Sequence, residues 1–204
     1  MKIRSDSFAH LAPIPSRYAF GAPSATAPMA YGENENPHLE WSEVPAGTAS
    51  FLLICVDDDV PTVFDDVNKE GRSIAADLPR QDFIHWVMAD IPGALRNIAA
   101  GSCARGIHAG GKRQPPGPAG TRQGVNDYTM FMGDGDYLGY DGPCPPWNDE
   151  RLHHYHFRLY ALDLTQLELP ARFTAKDALA AAHGHILAQA TLTGTYTLNR
   201  QLLG

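Results

Sequence analysis

Apolar residues in this chain come in short dense runs punctuated by glycine and proline, and few of them recur with a helical period before residue 174. The pattern predicts a mainly β protein. Ser50-Phe51-Leu52-Leu53-Ile54-Cys55-Val56 is a continuous run of strand formers, as expected of a central strand covered on both faces. It meets Asp57-Asp58-Asp59 and Pro61, where the strand is expected to end in a loop. A second strand is read from Phe83, His85, Val87 and Ala89 on one face alternating with Ile84, Trp86 and Met88 on the other, up to Asp90 and Pro92. A third runs from about His153 to Asp163, with His153, Tyr155, Phe157, Leu159 and Ala161 sharing one face, and His154, His156, Arg158 and Tyr160 the other. Thr174-Ala175-Lys176-Asp177 has the form of a capping box opening a helix that ends near Ala182, before His183-Gly184. A short second helix over Ile186 to Ala190 and a strand from Leu192 to Leu198 complete the expected elements.

Residues 101–147 are dense in Gly and Pro, include Gln114-Pro115-Pro116-Gly117-Pro118, and hold no sustained period. Such a long loop region is where a binding rim is expected. With 204 residues, 44% of them hydrophobic, the chain can bury a sizeable core, and no linker divides it, so one domain over 1–204 is expected. Against 16 Lys+Arg stand 23 Asp+Glu, a formal charge of -7 that disfavours nucleic acid and anionic membrane surfaces as partners. No apolar run approaches the roughly 20 residues of a membrane-crossing helix. His10, Pro13, Pro15, Ser16 and Arg17 interrupt what a signal peptide would need to be apolar, so a cytoplasmic protein is expected. The three cysteines, Cys55, Cys103 and Cys144, read as free thiols rather than a disulfide framework.

Several motif-like stretches lose to plainer readings. Gly106 to Lys112 has the spacing of a phosphate-binding loop, but Arg113 stands where a hydroxyl residue is needed, and Pro115-Pro116 would break the following helix. Asp66, Asn68, Glu70, Gly71 and Asp77 fall at calcium-loop spacings without the flanking helices. His183 and His185 fit a helix end, and His154 and His156 read as solvent-facing strand histidines in preference to a metal site. No cofactor or metal is expected.

What remains is a set of polar residues at the edges or inside apolar strands: Asp57, Asp59, His85, His153 and Tyr155. An unpartnered buried carboxylate is costly, whereas a carboxylate beside an imidazole forms a charge-assisted bond, so these groups need one another or a ligand. A structural Asp-His pair and a binding site are both consistent with the spacing.

Asn36-Pro37-His38-Leu39-Glu40-Trp41, the turn Val44-Pro45-Ala46-Gly47, Asp57-Asp58-Asp59-Val60-Pro61-Thr62, His85-Trp86, and Gly142-Pro143-Cys144-Pro145-Pro146 before His153-His154-Tyr155 follow one another in order. Leu159 to Asp163, Gly184 to Ala188 and Gly194-Thr195-Tyr196 extend the series over nearly the whole chain. In this the sequence resembles the phosphatidylethanolamine-binding protein family, specifically its bacterial Raf-kinase-inhibitor-like branch. The resemblance implies a large antiparallel sheet packed with a smaller one, C-terminal helices, and a small anion pocket. It implies a pocket containing Asp57, His85, His153 and Tyr155, walled by Gly142, Pro143, Pro145 and Pro146, with Asp57 and Asp59 orienting or charge-balancing their neighbours. His85 and His153 would donate to an anion's oxygens, and Tyr155 would add a hydroxyl donor.

Three departures from the family pattern change the expectation. Asp58 replaces the proline of Asp-Pro-Asp and adds negative charge beside the pocket; His154 replaces an arginine and removes a fixed positive charge; and 106–140 is longer, with Met130-Phe131-Met132-Gly133-Asp134-Gly135 inserted. The favoured function is non-catalytic binding of a small phosphate- or carboxylate-bearing ligand, such as a lipid headgroup or phosphorylated peptide. The alternatives are a protein-interaction or inhibitory module for a kinase or protease, a second copy of the chain being another conceivable partner, and a metal-dependent hydrolase built on the same Asp and His residues. The last lacks a tight ligand spacing such as His-Glu-x-x-His and a nucleophile turn. Cys144 is expected to pack rather than react.

Overall fold

The computed structural model describes residues 1–133 and 135–203. Its strands are β1 (Lys2–Arg4), β2 (Gly21–Ala22), β3 (Ala30–Tyr31), β4 (Leu39–Ser42), β5 (Ser50–Pro61), β6 (Arg80–Pro92), β7 (Asn97–Ile98), β8 (Arg122–Gln123), β9 (His153–Leu162) and β10 (Ile186–Tyr196), with helices α1 (Tyr128–Phe131) and α2 (Ala175–Ala182). The large sheet is antiparallel in the order β10-β9-β5-β6-β8; β1-β4-β7 form a smaller sheet, and β2-β3 a two-stranded one. β5 is the middle strand, which explains its unbroken apolar run. Phe51, Leu53 and Cys55 face Leu39, Trp41 and Ile98 of the small sheet, while Leu52 and Ile54 face a second core closed by Ala175, Ala178 and Ala182 of α2. No described helix is long and apolar enough to cross a membrane.

Three expectations need correction. The triple aspartate does not end β5. The strand runs on to Pro61 with a one-residue register shift between Asp57 and Val60, because each carboxylate finds a partner on or next to β9.

In β6 the predicted alternation breaks. Cys55 pairs with Trp86 and Val56 with Ile84, so His85 is an extra residue, a bulge. Beyond it the faces switch: Trp86 and Met88 join the core under the small sheet, and Val87 and Ala89 join Ile84 on the α2 side.

Residues 186–190 are strand, not helix. β10 pairs with β9 from Ile186 opposite Leu162 to Tyr196 opposite His153, and a helix there would orphan the backbone groups of β9 along that edge. The C-terminal helical content is α2 plus a 3-10 turn at Arg200–Leu202. α2 opens with the predicted capping box: Thr174 Oγ1 accepts from the Asp177 N–H at 3.3 Å, and the Thr174 N–H donates to Asp177 Oδ2 at 2.9 Å. Thr174→Ala is expected to cost about 1 kcal/mol, read as a lower urea midpoint at unchanged slope.

Candidate ligand-binding site

At one end of the large sheet β5, β6 and β9 leave a hollow of about 220 Å³. Asp57, His85, His153 and Tyr155 reach it from three strands distant in sequence, and Pro145 and Pro146 wall it. The rest of its lining is mostly apolar: Phe20, Val60, Phe64, Val67, Phe83, Tyr128, Phe131 and Met132 among them. The inserted segment thus supplies part of the rim, with Phe131 and Met132 half-exposed; its Asp134 lies outside the described residues.

The remaining predicted wall residues sit behind the lining. Gly142 packs where a Cβ would lie 2.0 Å from the Tyr18 carbonyl oxygen, and its own carbonyl accepts from the Tyr128 hydroxyl at 2.7 Å. The Pro143 carbonyl accepts from the Phe20 and Gly21 N–H groups at 2.9 and 3.0 Å, tying down β2. Asp59 also points away from the hollow, where it takes the Arg151 guanidinium and His154 Nδ1, the latter at 2.7 Å. These bonds hold the Asp59 carboxyl below its ordinary pKa although burial pushes the other way. Position 154 faces Asp59 and not the hollow, so its histidine takes no positive charge from the lining, and Arg151 supplies a guanidinium to Asp59. Asp58 likewise turns outward, to His156 Nε2 at 3.1 Å.

His153 cannot serve as the predicted anion donor. Its Nδ1 lies 2.7 Å from Asp57 Oδ2 and its Nε2 3.2 Å from Asp149 Oδ2, so both ring N–H groups are spent on carboxylates. Asp149 is gripped in turn by Arg80, at 2.6 and 3.0 Å. Burial alone would push the His153 pKa down; the Asp57 charge and the bonds to Asp149 and Asp57 outweigh it and raise the value to about 9. Asp57, His153, Asp149 and Arg80 form a buried chain of alternating charge.

His85 behaves oppositely. Its Nδ1 lies 2.7 Å from the Asp141 carbonyl oxygen, which can only accept, so Nδ1 carries the hydrogen and the neutral ring keeps a lone pair on Nε2. Burial lowers its pKa despite the opposing Asp57 charge, so the ring is neutral at pH 7. Tyr155 lies against it, ring centroids 5.1 Å apart at 72°, and the Tyr155 hydroxyl is buried without a hydrogen-bond partner. Burial first, then the charge of Asp57, whose carboxylate stands near the hydroxyl but outside hydrogen-bond geometry, pushes the phenol pKa far up, so it remains a donor.

A polar network that sequence reasoning missed fixes His85. Asp141 N–H donates to the His85 carbonyl at 3.0 Å, and the Asp141 carboxylate takes Asn34 at 2.7 Å, Asn126 at 2.8 Å, and the Lys112 ammonium, all buried. Lys112 is the lysine of the phosphate-loop lookalike, here committed to a structural ion pair. No local spacing joins residues 34, 112, 126 and 141; only a buried lysine partnered in space reveals them. Cys144 lines the hollow with its thiol 3.9 Å from Met29 sulfur, and burial pushes its pKa up to about 12, as expected of a packing thiol. Among the described residues, no group of three or more His, Cys, Asp and Glu is arranged to hold a metal.

Comparison with known proteins places this arrangement in a family. The family model described as phosphatidylethanolamine-binding protein matches residues 4–197. A UPF0098 protein of Methanothermobacter thermautotrophicus is 33% identical over 196 residues, covering 96% of this chain and 98% of that one. One of Aquifex aeolicus is 33% identical over 165 residues, 81% of this chain and 75% of that one. Among solved structures, a phosphatidylethanolamine-binding protein homolog of Chlamydia trachomatis is 29% identical with a TM-score of 0.65, covering 96% of this chain and 95% of the other. Escherichia coli YbcL shares the fold at 24% identity and a TM-score of 0.69, over 96% and 97% of the two chains. With a family model matched along almost its full length, the chain belongs to the phosphatidylethanolamine-binding protein family.

Proposed function

We propose that this protein is a non-catalytic receptor for a small anionic ligand, whose acid head enters the hollow between His85 and Tyr155. One observation carries the reading. A buried phenol hydroxyl without a partner, beside a histidine whose Nε2 is also uncommitted, is costly in a finished core and is relieved when a ligand oxygen arrives. Two uncommitted polar groups inside a mostly apolar cleft suit recognition of a small molecule. Three free thiols fit a reducing compartment, and the proposal places the receptor in the cytoplasm.

The test is titration of the protein with acetate and with inorganic phosphate near pH 6, followed by NMR. We expect weak binding, and a Tyr155→Phe, His85→Gln double variant that loses about thirtyfold in affinity, each of the two lost hydrogen bonds being worth about 1 kcal/mol. Equal responses from the parent and the variant would sink the reading. A second role, docking of a protein segment, is favoured by the exposed Met132, Phe131 and Phe64 at the same mouth, and a pull-down insensitive to Phe131→Ala would count against it.

A further inference from the structure

The anion-receptor reading leaves the chemical class of the ligand open, and three properties of the hollow narrow it. The first is charge. Among the described residues its lining includes neither Lys nor Arg. Nearby cations are already matched: Arg80 by Asp149, Arg151 by Asp59, and His153 by Asp57 and Asp149. The buried chain Asp57, His153, Asp149, Arg80 sums to zero, so a dianion brought inside would meet no uncompensated positive charge to offset the water it leaves.

Hydrogen-bond sense is the second property. Tyr155 offers a hydroxyl donor, whereas His85 Nε2 offers a lone pair, because Nδ1 holds the ring hydrogen against the Asp141 carbonyl. A fully ionised head with two adjacent oxygens therefore finds one donor and one acceptor. A head carrying one proton satisfies both, one oxygen accepting from Tyr155 and the other sharing its hydrogen with His85 Nε2.

Shape is the third. Phe64 meets Phe131 edge-on at 5.1 Å, and Phe83 meets Phe131 at 5.3 Å and Tyr128 at 5.3 Å, so flat rings form the approach to the polar end. The cavity of about 220 Å³ has room for about seven waters at ~30 Å³ each, comparable to a ligand of about ten non-hydrogen atoms.

We infer that the site accepts a small carboxylic acid with a flat apolar body, of the arylacetic or arylcarboxylic class, bound as carboxylate plus one proton drawn from solvent and shared with His85 Nε2. The inference rests on the anion-receptor reading. No covalent bond changes; the single proton taken up is held between the carboxylate oxygen and the imidazole nitrogen. The titratable and charged groups around His85 are Asp57 from β5, Tyr155 from β9, Tyr128 from α1, and Asp127 and Asp141 from the loops beside it. Each charge has its own partner: Asp57 has His153, Asp141 has Lys112, and Asp127 accepts the Ile84 N–H. The added proton therefore goes to the His85–ligand pair.

The test is calorimetric titration of the full chain with phenylacetate, acetate and inorganic phosphate in buffers of different ionisation heat. Phenylacetate is expected to bind about tenfold more tightly than acetate, since the two share a head and differ by a buried ring. About one proton should be taken up per ligand, and phenylacetate affinity should fall toward about tenfold per pH unit between about pH 6.5 and about pH 8.5, as proton linkage requires. Phe131→Ala, a substitution at a half-exposed rim ring, should bring phenylacetate close to acetate. Phosphate binding that strengthens as the dianion forms, phenylacetate binding without proton uptake, or phenylacetate no tighter than acetate would each overturn the inference while leaving an anion receptor. Failure of all three probes to bind removes the receptor reading as well.

Discussion

Asp141→Ala is expected to destabilise the protein by about 3–5 kcal/mol, the usual effect of removing one partner of a buried ion pair. The substitution leaves the Lys112 ammonium in a buried position without its carboxylate, and strands the side-chain amides of Asn34 and Asn126 that now donate to it. For a chain of this length each kcal/mol shifts the melting temperature by roughly 2–4 °C, so a fall of about 10–15 °C is expected in a thermal scan. Lys112→Met should cost less, since the Asn34 and Asn126 amides still solvate the carboxylate, and the double variant Asp141→Ala, Lys112→Met should recover part of the loss. Strict additivity in that cycle would show that the pair is not coupled. The backbone of residue 141 holds His85 Nδ1, so weaker anion binding should accompany lost stability even though residue 141 does not line the hollow.

How far the sequence discloses this molecule depends on the range over which its residues act. The β5 core run, the faces of β9 and the α2 cap were legible because each rests on neighbours within a few residues: a period of two, a run without polar interruption, a Thr and an Asp three apart. Ile186 to Ala190 misled because short apolar stretches without glycine suit either helix or strand, and the choice is made by β9, whose edge would otherwise be bare. The bulge at His85 was equally invisible, since an alternating pattern assumes an unbroken register, and it changes which side chains flank the site.

The site itself was legible in part. Asp57, His85, His153 and Tyr155 do converge, but the resemblance could name them without saying which nitrogens were already taken. Roles depended on partners from elsewhere in the chain. His153 is held by Asp149 and Asp57, and His85 is held by the carbonyl of Asp141, reversing the expectation that both donate to an anion. The triple aspartate likewise gains its meaning from β9, where His153, His154 and His156 take one carboxylate each.

These two histidines give the protein's stability opposite responses to pH. His153 has a folded pKa raised to about 9 from an ordinary 6.5, so its contribution is complete below about 6.5 and is lost as pH rises through about 9. At 1.36 kcal/mol per unit, that contribution is on the order of 3 kcal/mol. His85 has a lowered folded pKa, so it works in the other sense: its neutral form is favoured by folding above about 6.5, and stability is lost as pH falls below that value. Asp59 and Asp149, held below their ordinary range, add a further loss at still lower pH, as carboxylates that are paired in the fold become protonated. The two histidine contributions therefore meet near pH 6.5, and urea midpoints measured from about pH 5 to about pH 10 should fall on both sides of it. His153→Gln keeps a side-chain amide near Asp57 and Asp149 but carries no proton to lose. It should lower stability at pH 6.5 and flatten the alkaline limb while leaving the acid limb in place. An alkaline limb as steep in His153→Gln as in the parent would assign the loss to another group and break the alternating chain from Asp57 to Arg80 as its physical cause.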